Sequence, residues 1–285
     1  MRSRPFKQVD VFTTTPLLGN PLAVILDADG LTSEAMRDFT HWTNLSEATF
    51  LLAPTDAGRA AGAHYRVRIF CPGRELPFAG HPTLGSAHAW LEAHPGCDDP
   101  VLVQECGAGL VRIRRDGERL AFAAPPLRRS GPLDDDALEL IVRGLGLSRD
   151  DIVSHAWCDN GPGWRGLLLR SAEQVLALRP NPALLGSIDL GVVGPWRTSV
   201  PGEPRFEVRA FFPGNSGLTE DPVTGSLNAA LGQWLIGAGF APGEYVARQG
   251  TVLGRAGRVY VKQDGPDLWI GGYSVTCIDG SVSIG

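Results

Sequence analysis

The chain has 285 residues, 43% of them hydrophobic and 20% charged, a balance that suits folded proteins and two domains of ordinary size. A net charge of −5 and a pI near 5.7 argue against a nucleic-acid partner, and no apolar run approaches the length of a membrane span. The N-terminal MRSRPFKQVDVF lacks the apolar core of a secretory leader, so the expected compartment is the cytoplasm.

In chain order, QVDVF and PLAVIL read as strands, SEAMRDFTHWT as a helix, and EATFLLA and YRVRIF as further strands. The stretch NLSEATFLL sets Glu47 at the start of a strongly apolar strand. Most glutamates are solvated. One desolvated beside Phe50 and Leu51 has its pKa raised toward the range useful for proton transfer. Next comes AGHPTLGSAHAW (79–90), rich in small apolar residues and short of charge, as expected of a buried helix wrapped by strands. With Pro82 at the first helical position, His81 becomes the expected N-cap, although histidine is not a favoured cap residue.

VRIRRDGERLAF (111–122) reads as a hairpin about Asp-Gly. It carries the densest basic cluster, Arg112, Arg114, Arg115 and Arg119, mixed with Asp116 and Glu118. The Pro-rich AAPPLRRSGP (123–132) reads as a linker before the helical DDDALELIVRGLG. The expected domains are therefore 1–124 and 125–285, the last residues having the option of returning to the first. A loop, VPGEP at 200–204, precedes the strand EVRAFFPG, which echoes RVRIFCPG at 66–73.

Two more echoes follow in the same order. His81–Leu91 and Asp221–Leu231 share P-x-x-G-S-x-x-A-x-L, and VYVKQDGPDLWI (259–270) resembles the first hairpin. Three ordered echoes at nearly constant offset indicate a duplicated domain. The expected fold is α+β: two pseudo-symmetric domains, each a curled, barrel-like sheet around a central helix. In this alignment Asp221 falls opposite His81 as a second cap, a place where aspartate has an ordinary structural reason to be. Backbone N–H groups of the Gly80–Thr83 and Gly225–Ser226 turns lie at helix starts, which favour a carboxylate or a developing anion. Both starts are expected to serve one cleft between the domains.

The cysteines at 71, 97, 106, 158 and 277 are odd in number and show no CxxC spacing. Buried free thiols are expected, with neither a disulfide framework nor a metal site; Cys71 lies nearest the motif region.

GNPLAVIL (19–26), NLSEATF (44–50), RELPFAGHPTLG (74–85), DNGPG (159–163), EDPVTGS (220–226) and the RQG turn (248–250) together resemble the PhzF-like family, within the diaminopimelate-epimerase fold superfamily. The resemblance implies a cofactor-independent isomerase acting on a small carboxylated metabolite, and a homodimer. It assigns Glu47 as the proton shuttle, His81 and Asp221 as its assistants, and Asn20, Gly80, Gly225 and Ser226 as substrate-binding residues. Related epimerases carry cysteines at the two helix starts, where this chain has His81 and Asp221, so a two-cysteine racemase is disfavoured. A binding protein that has lost turnover, or an epimerase, is the alternative.

Overall fold

The computed structural model describes residues 1–285 except 198–199, 201 and 215–216; the expected loop at 200–204 thus includes one residue, Pro201, outside the described residues. Two compact units make up the chain, Met1–Ala123 with Gly271–Gly285, and Ala124–Ile270. Each is α+β, with a central apolar helix against a curled sheet.

The first unit runs β1 (Arg2–Val11), β2 (Asn20–Ile25), α1 (Ser33–Thr43), β3 (Ala48–Leu52), α2 (Asp56–Ala60), β4 (Tyr65–Cys71), β5 (Arg74–Leu76), α3 (Gly80–Ala93), β6 (Val101–Cys106), β7 (Gly109–Asp116) and β8 (Arg119–Ala123). A C-terminal strand, Ser274–Ile284, pairs with β1. Alternation along β3 sorts its side chains between two layers. Ala48 and Phe50 join the outer core with Met36 and Phe39 of α1. Thr49 faces α3, where Ser86 Oγ donates to its hydroxyl at 3.0 Å.

α1 begins at Thr32, whose hydroxyl accepts the Ala35 N–H at 3.1 Å, and ends at Asn44 in the left-handed region (φ 56°). α3 has no such polar outer face. It touches β1, β2, β3, β6, β8 and the C-terminal strand, and its residues from Gly80 through Ala87 are buried. A charged helix could not sit there without unpaired burial. Close approach needs Gly85, where an added Cβ would stand 2.6 Å from Leu22 Cδ2 and 3.0 Å from Val11 Cγ2.

The second unit contains α4 (Asp135–Leu145), β9 (Ile152–Trp157), β10 (Arg165–Leu169), α5 (Ala172–Ala177), α6 (Pro182–Leu185), β11 (Leu190–Pro195), β12 (Phe206–Gly214), β13 (Gly217–Asp221), α7 (Gly225–Gly237), β14 (Glu244–Gln249), β15 (Gly257–Asp264) and β16 (Asp267–Gly272). Here α4, α5 and α6 form the outer layer over Leu167, Leu169, Leu190, Val192 and Phe211. α7 is the apolar central helix, packed on β15.

Strand pairing repeats step for step between the units. β1–β2 is antiparallel, β2–β3 parallel, β3–β4 antiparallel and β4–β6 parallel, with β5 a hairpin on β4. β9–β10 is likewise antiparallel, β10–β11 parallel, β11–β12 antiparallel and β12–β14 parallel, with β13 a hairpin on β12. The echo between residues 66–73 and 207–214 is thus an echo of β4 and β12.

All five cysteines are free, but only Cys158 is fully buried, which corrects the expectation of buried thiols. Cys71 sits instead at the β4–β5 turn, where its Sγ–H reaches the Arg74 carbonyl. Burial pushes the Cys158 thiol up to about 12, so it stays protonated and unreactive near neutral pH. No helix among the described residues is long and apolar enough to cross a membrane.

Candidate functional site

The predicted residues fall into two groups, one in each unit. In the first, the left-handed turn at Asn44 ends α1 and delivers Glu47 directly before β3. Its side chain is 18% exposed, and Oε2 lies 3.6 Å from Nε2 of His81, just beyond a direct hydrogen bond. Asn20 opens β2 and is 1% exposed; its Nδ2 stands 3.5 Å from His81 Nδ1. The Gly19–Asn20 turn is itself fixed by buried Asp10, whose Oδ2 accepts the Gly19 N–H at 2.9 Å.

This arrangement selects one form of the histidine. An amide NH2 only donates, so the Asn20 contact makes Nδ1 the acceptor and leaves the ring proton on Nε2, facing Glu47. Burial lowers the His81 pKa from 6.5 to about 3, so at neutral pH the ring is an uncharged donor. Gly80, Asn20, His81 and Glu47 thus present backbone N–H, amide, imidazole N–H and carboxylate in one small region.

The helix starts correct the expected caps. Thr83 N–H bonds to the Ala79 carbonyl at 3.1 Å, so Ala79 caps α3, Gly80 is the first helical residue and His81 the second. Pro82 is tolerated third because first-turn N–H groups have no intrahelical acceptor to lose. In the second unit, Asn228 N–H bonds to the Thr224 carbonyl at 3.1 Å, making Thr224 the cap and Gly225 the first residue of α7. Asp221 is therefore no cap. It ends β13, paired with Ala210, and that ladder keeps the chain extended up to the proline. Counted from the caps, His81 corresponds to Ser226, whereas the sequence echo pairs it with Asp221.

The second group is held as firmly as the first. Thr224 Oγ1 donates to Asp221 Oδ2 at 2.6 Å. Ser226 Oγ accepts the Trp164 indole N–H at 3.1 Å, and its carbonyl accepts from Asn160 Nδ2 at 2.8 Å. With Oγ accepting from Trp164, the Ser226 hydroxyl proton is left to donate elsewhere. Neither Ala79 nor Thr224 gives its helix a side-chain cap bond, so both first turns keep backbone N–H groups available to an anion.

The phenazine biosynthesis-like (PhzC-PhzF) family model matches residues 9–280, nearly the whole chain. The chain belongs to this family. Among its relatives, antisense-enhancing sequence 1 of Schizosaccharomyces pombe is 34% identical, with 98% of this chain and 99% of the relative covered. The trans-2,3-dihydro-3-hydroxyanthranilate isomerase of Pseudomonas aeruginosa is also 34% identical, over 90% of this chain and 89% of the enzyme. A solved PhzF-family protein of Bacillus anthracis shares the fold at a TM-score of 0.82 and 23% identity, with both chains fully covered.

In this family member, the motifs read from sequence fall into two structural groups. GNP, NLSE and AGHP supply Asn20, Glu47 and His81, which the fold gathers in the first unit. In DNGPG, Asp159 Oδ1 accepts the Gly161 and Gly163 N–H groups, and the turn so formed aims Asn160 at Ser226. Sequence reasoning did not single out Thr224, Asn160 or Trp164 as individual residues. Their signal was their place inside or beside quoted motifs. The hydroxyl of Thr224 had no reason, from sequence, to serve Asp221 instead of its own helix.

Proposed function

We propose that the protein is a cofactor-independent isomerase that moves a proton within a small carboxylated metabolite. Glu47 removes a proton from an activated carbon and returns it to another position on the same molecule. His81, neutral and donating through Nε2, holds the carboxylate in place and stabilises its charged form. Asn20 keeps the ring in that tautomer. The first-turn N–H groups of α3 hold the enolate-like charge that develops as the proton leaves, and those of α7, with the Ser226 hydroxyl, suit a carboxylate. Asp221 orients the substrate.

The observation that carries this reading is the 3.6 Å approach of His81 Nε2 to Glu47 Oε2, with the imidazole held uncharged by burial. A merely structural glutamate needs no neutral donor with its tautomer set from the far side. Relatives named as isomerases of trans-2,3-dihydro-3-hydroxyanthranilate support the reaction class and supply a probe. The helix starts bear Gly80, His81, Gly225 and Ser226, so the thiol pair of a two-cysteine racemase has no counterpart there.

The test is turnover of trans-2,3-dihydro-3-hydroxyanthranilate, followed by NMR, with the parent protein and with Glu47→Gln. Isomerisation by the parent and its loss in a folded variant is the expected result. Equal rates in both proteins would remove Glu47 from the mechanism. Tight binding without turnover would make the protein a binder of this class of ligand.

A further inference from the structure

The RQG motif (248–250) lies more than twenty residues beyond the start of α7, and nothing in the proposed proton chemistry uses it. Its glutamine ends β14 and is fully buried. Both ends of the amide are spent on one short stretch of chain. Gln249 Oε1 accepts the Thr224 N–H at 3.0 Å and Asn228 Nδ2 at 2.8 Å. Its Nε2 donates to the Asp221 carbonyl at 3.1 Å and to Thr224 Oγ1 at 2.9 Å.

The last of these bonds has a directional consequence. A hydroxyl that accepts from an amide must send its own proton elsewhere, and Thr224 sends it to Asp221 Oδ2 at 2.6 Å. Gln249, Thr224 and Asp221 form a chain in which each donor faces the next acceptor, ending on a carboxylate. The neighbouring glycine fits the same purpose. Gly250 is left-handed (φ 91°), and an added Cβ would stand 2.6 Å from the Pro222 carbonyl oxygen. The turn after β14 therefore seats directly against the Asp-Pro turn.

We propose that Gln249 is a positioning residue: it locks the Thr224 hydroxyl as a donor and so fixes the Asp221 carboxylate and the start of α7 in one arrangement. Asp221 owes its role under the proposed function to this clamp, so the inference rests on that reading for its catalytic meaning and on geometry for its existence. Gln249 Oε1 takes the Thr224 N–H and Asn228 Nδ2 donates to the Thr224 carbonyl, while the Thr224 hydroxyl makes no cap bond to its own helix and serves Asp221 instead. The motifs EDPVTGS and RQG are two halves of one device.

The test reads Asp221 in the resting protein, without substrate, from the 13C shift of its carboxyl group across a pH titration. A donor to the charged form lowers a carboxyl pKa. Thr224→Val and Gln249→Leu are each expected to raise the Asp221 pKa by about one unit. Thr224→Ser keeps the hydroxyl and is expected to leave it near the parent value. In the Gln249→Leu background, Thr224→Val is expected to add little, since the hydroxyl is already unlocked. An unchanged Asp221 titration in folded Thr224→Val overturns the proposal. So does full additivity of the two changes. Should Gln249→Leu fail to fold, Thr224→Val and Thr224→Ser decide the carboxylate end, and Gln249→Glu, which replaces the donor with an acceptor at constant shape, decides the other. An unmoved Asp221 titration in that variant counts against the clamp. Absence of turnover by the parent would sink the proposed function and leave these titrations to stand or fall alone.

Discussion

The starts of α3 and α7 are the same feature of a duplicated fold put to different uses. Each follows a β hairpin, each lacks a side-chain cap bond, and each begins with glycine. At α3 the second helical residue is a buried, neutral histidine aimed at a carboxylate that directly precedes β3. At α7 the same place holds Ser226, while the carboxylate, Asp221, comes from the strand before the helix and is held by the cap residue's hydroxyl. The difference teaches that the fold supplies a helix start without a side-chain cap twice, and local side chains decide whether a neutral imidazole or a hydroxyl-held carboxylate stands beside it.

Breaking the α3 half should produce the largest effect. Glu47→Gln keeps the shape and removes the base, so kcat for the probe is expected to fall by roughly 10²- to 10⁴-fold with an unchanged melting temperature. A melt that drops sharply instead would reassign Glu47 to structure. His81→Leu takes away the Nε2 donor, lowering kcat by about 10- to 100-fold and moving the acidic limb of the pH profile upward, because Glu47 loses a donor to its charged form.

The same histidine sets a stability signature that the α7 half lacks. The unfolded chain protonates this ring below its ordinary pKa of 6.5, whereas the folded protein does so only near 3. Protons therefore favour unfolding across that window, and stability falls as pH drops from 6.5 towards 3. The contribution lost is on the order of 4 kcal/mol over the whole interval. Urea titrations at pH 7 and pH 4 should show a smaller difference in His81→Gln than in the parent. An equal difference in both proteins would mean that the ring is not held neutral.

Gly85→Ala tests the packing beneath the α3 half. Its new methyl would press into Leu22 and Val11 beneath α3, and the expected cost is about 1–3 kcal/mol of unfolding free energy. Trp164→Phe is the mildest change. It removes only the N–H that orients the Ser226 hydroxyl, so KM for the probe should rise by roughly fivefold with kcat little altered. A larger loss in kcat than in KM would move Ser226 from holding the substrate to stabilising the transition state.

Much of the fold was legible because it rests on patterns that survive in one sequence. The span 33–43 carries the helix α1, and the Asp-Gly turns at 116–117 and 264–265 sit in hairpins. The absence of charge in 80–89 announced a helix with no solvent face. Helix starts were less legible. Pro82 and Pro222 occupy equivalent places in the sequence echo, yet α3 begins two residues before its proline and α7 three residues after. Proline fits either way, in a first turn or in an extended lead-in, and the choice at Pro222 is made by the β13 ladder and by Gln249, neither of which is local. The site was legible as residue types and illegible as geometry. Glu47 and His81 are 34 positions apart in the sequence, and only the curl of β2 and β3 around α3 brings them to 3.6 Å.

The central claim is that Glu47 carries the proton from one carbon to another, and deuterium labelling asks this most directly. The parent protein is incubated with trans-2,3-dihydro-3-hydroxyanthranilate in D2O, and the product is examined by NMR for deuterium at the carbon that gains a proton. The abstracted proton exchanges with solvent on the Glu47 carboxyl before it is returned, so the account predicts deuterium at that single carbon with the parent and none above background with Glu47→Gln. Deuterium entering at the parent rate with Glu47→Gln would contradict it.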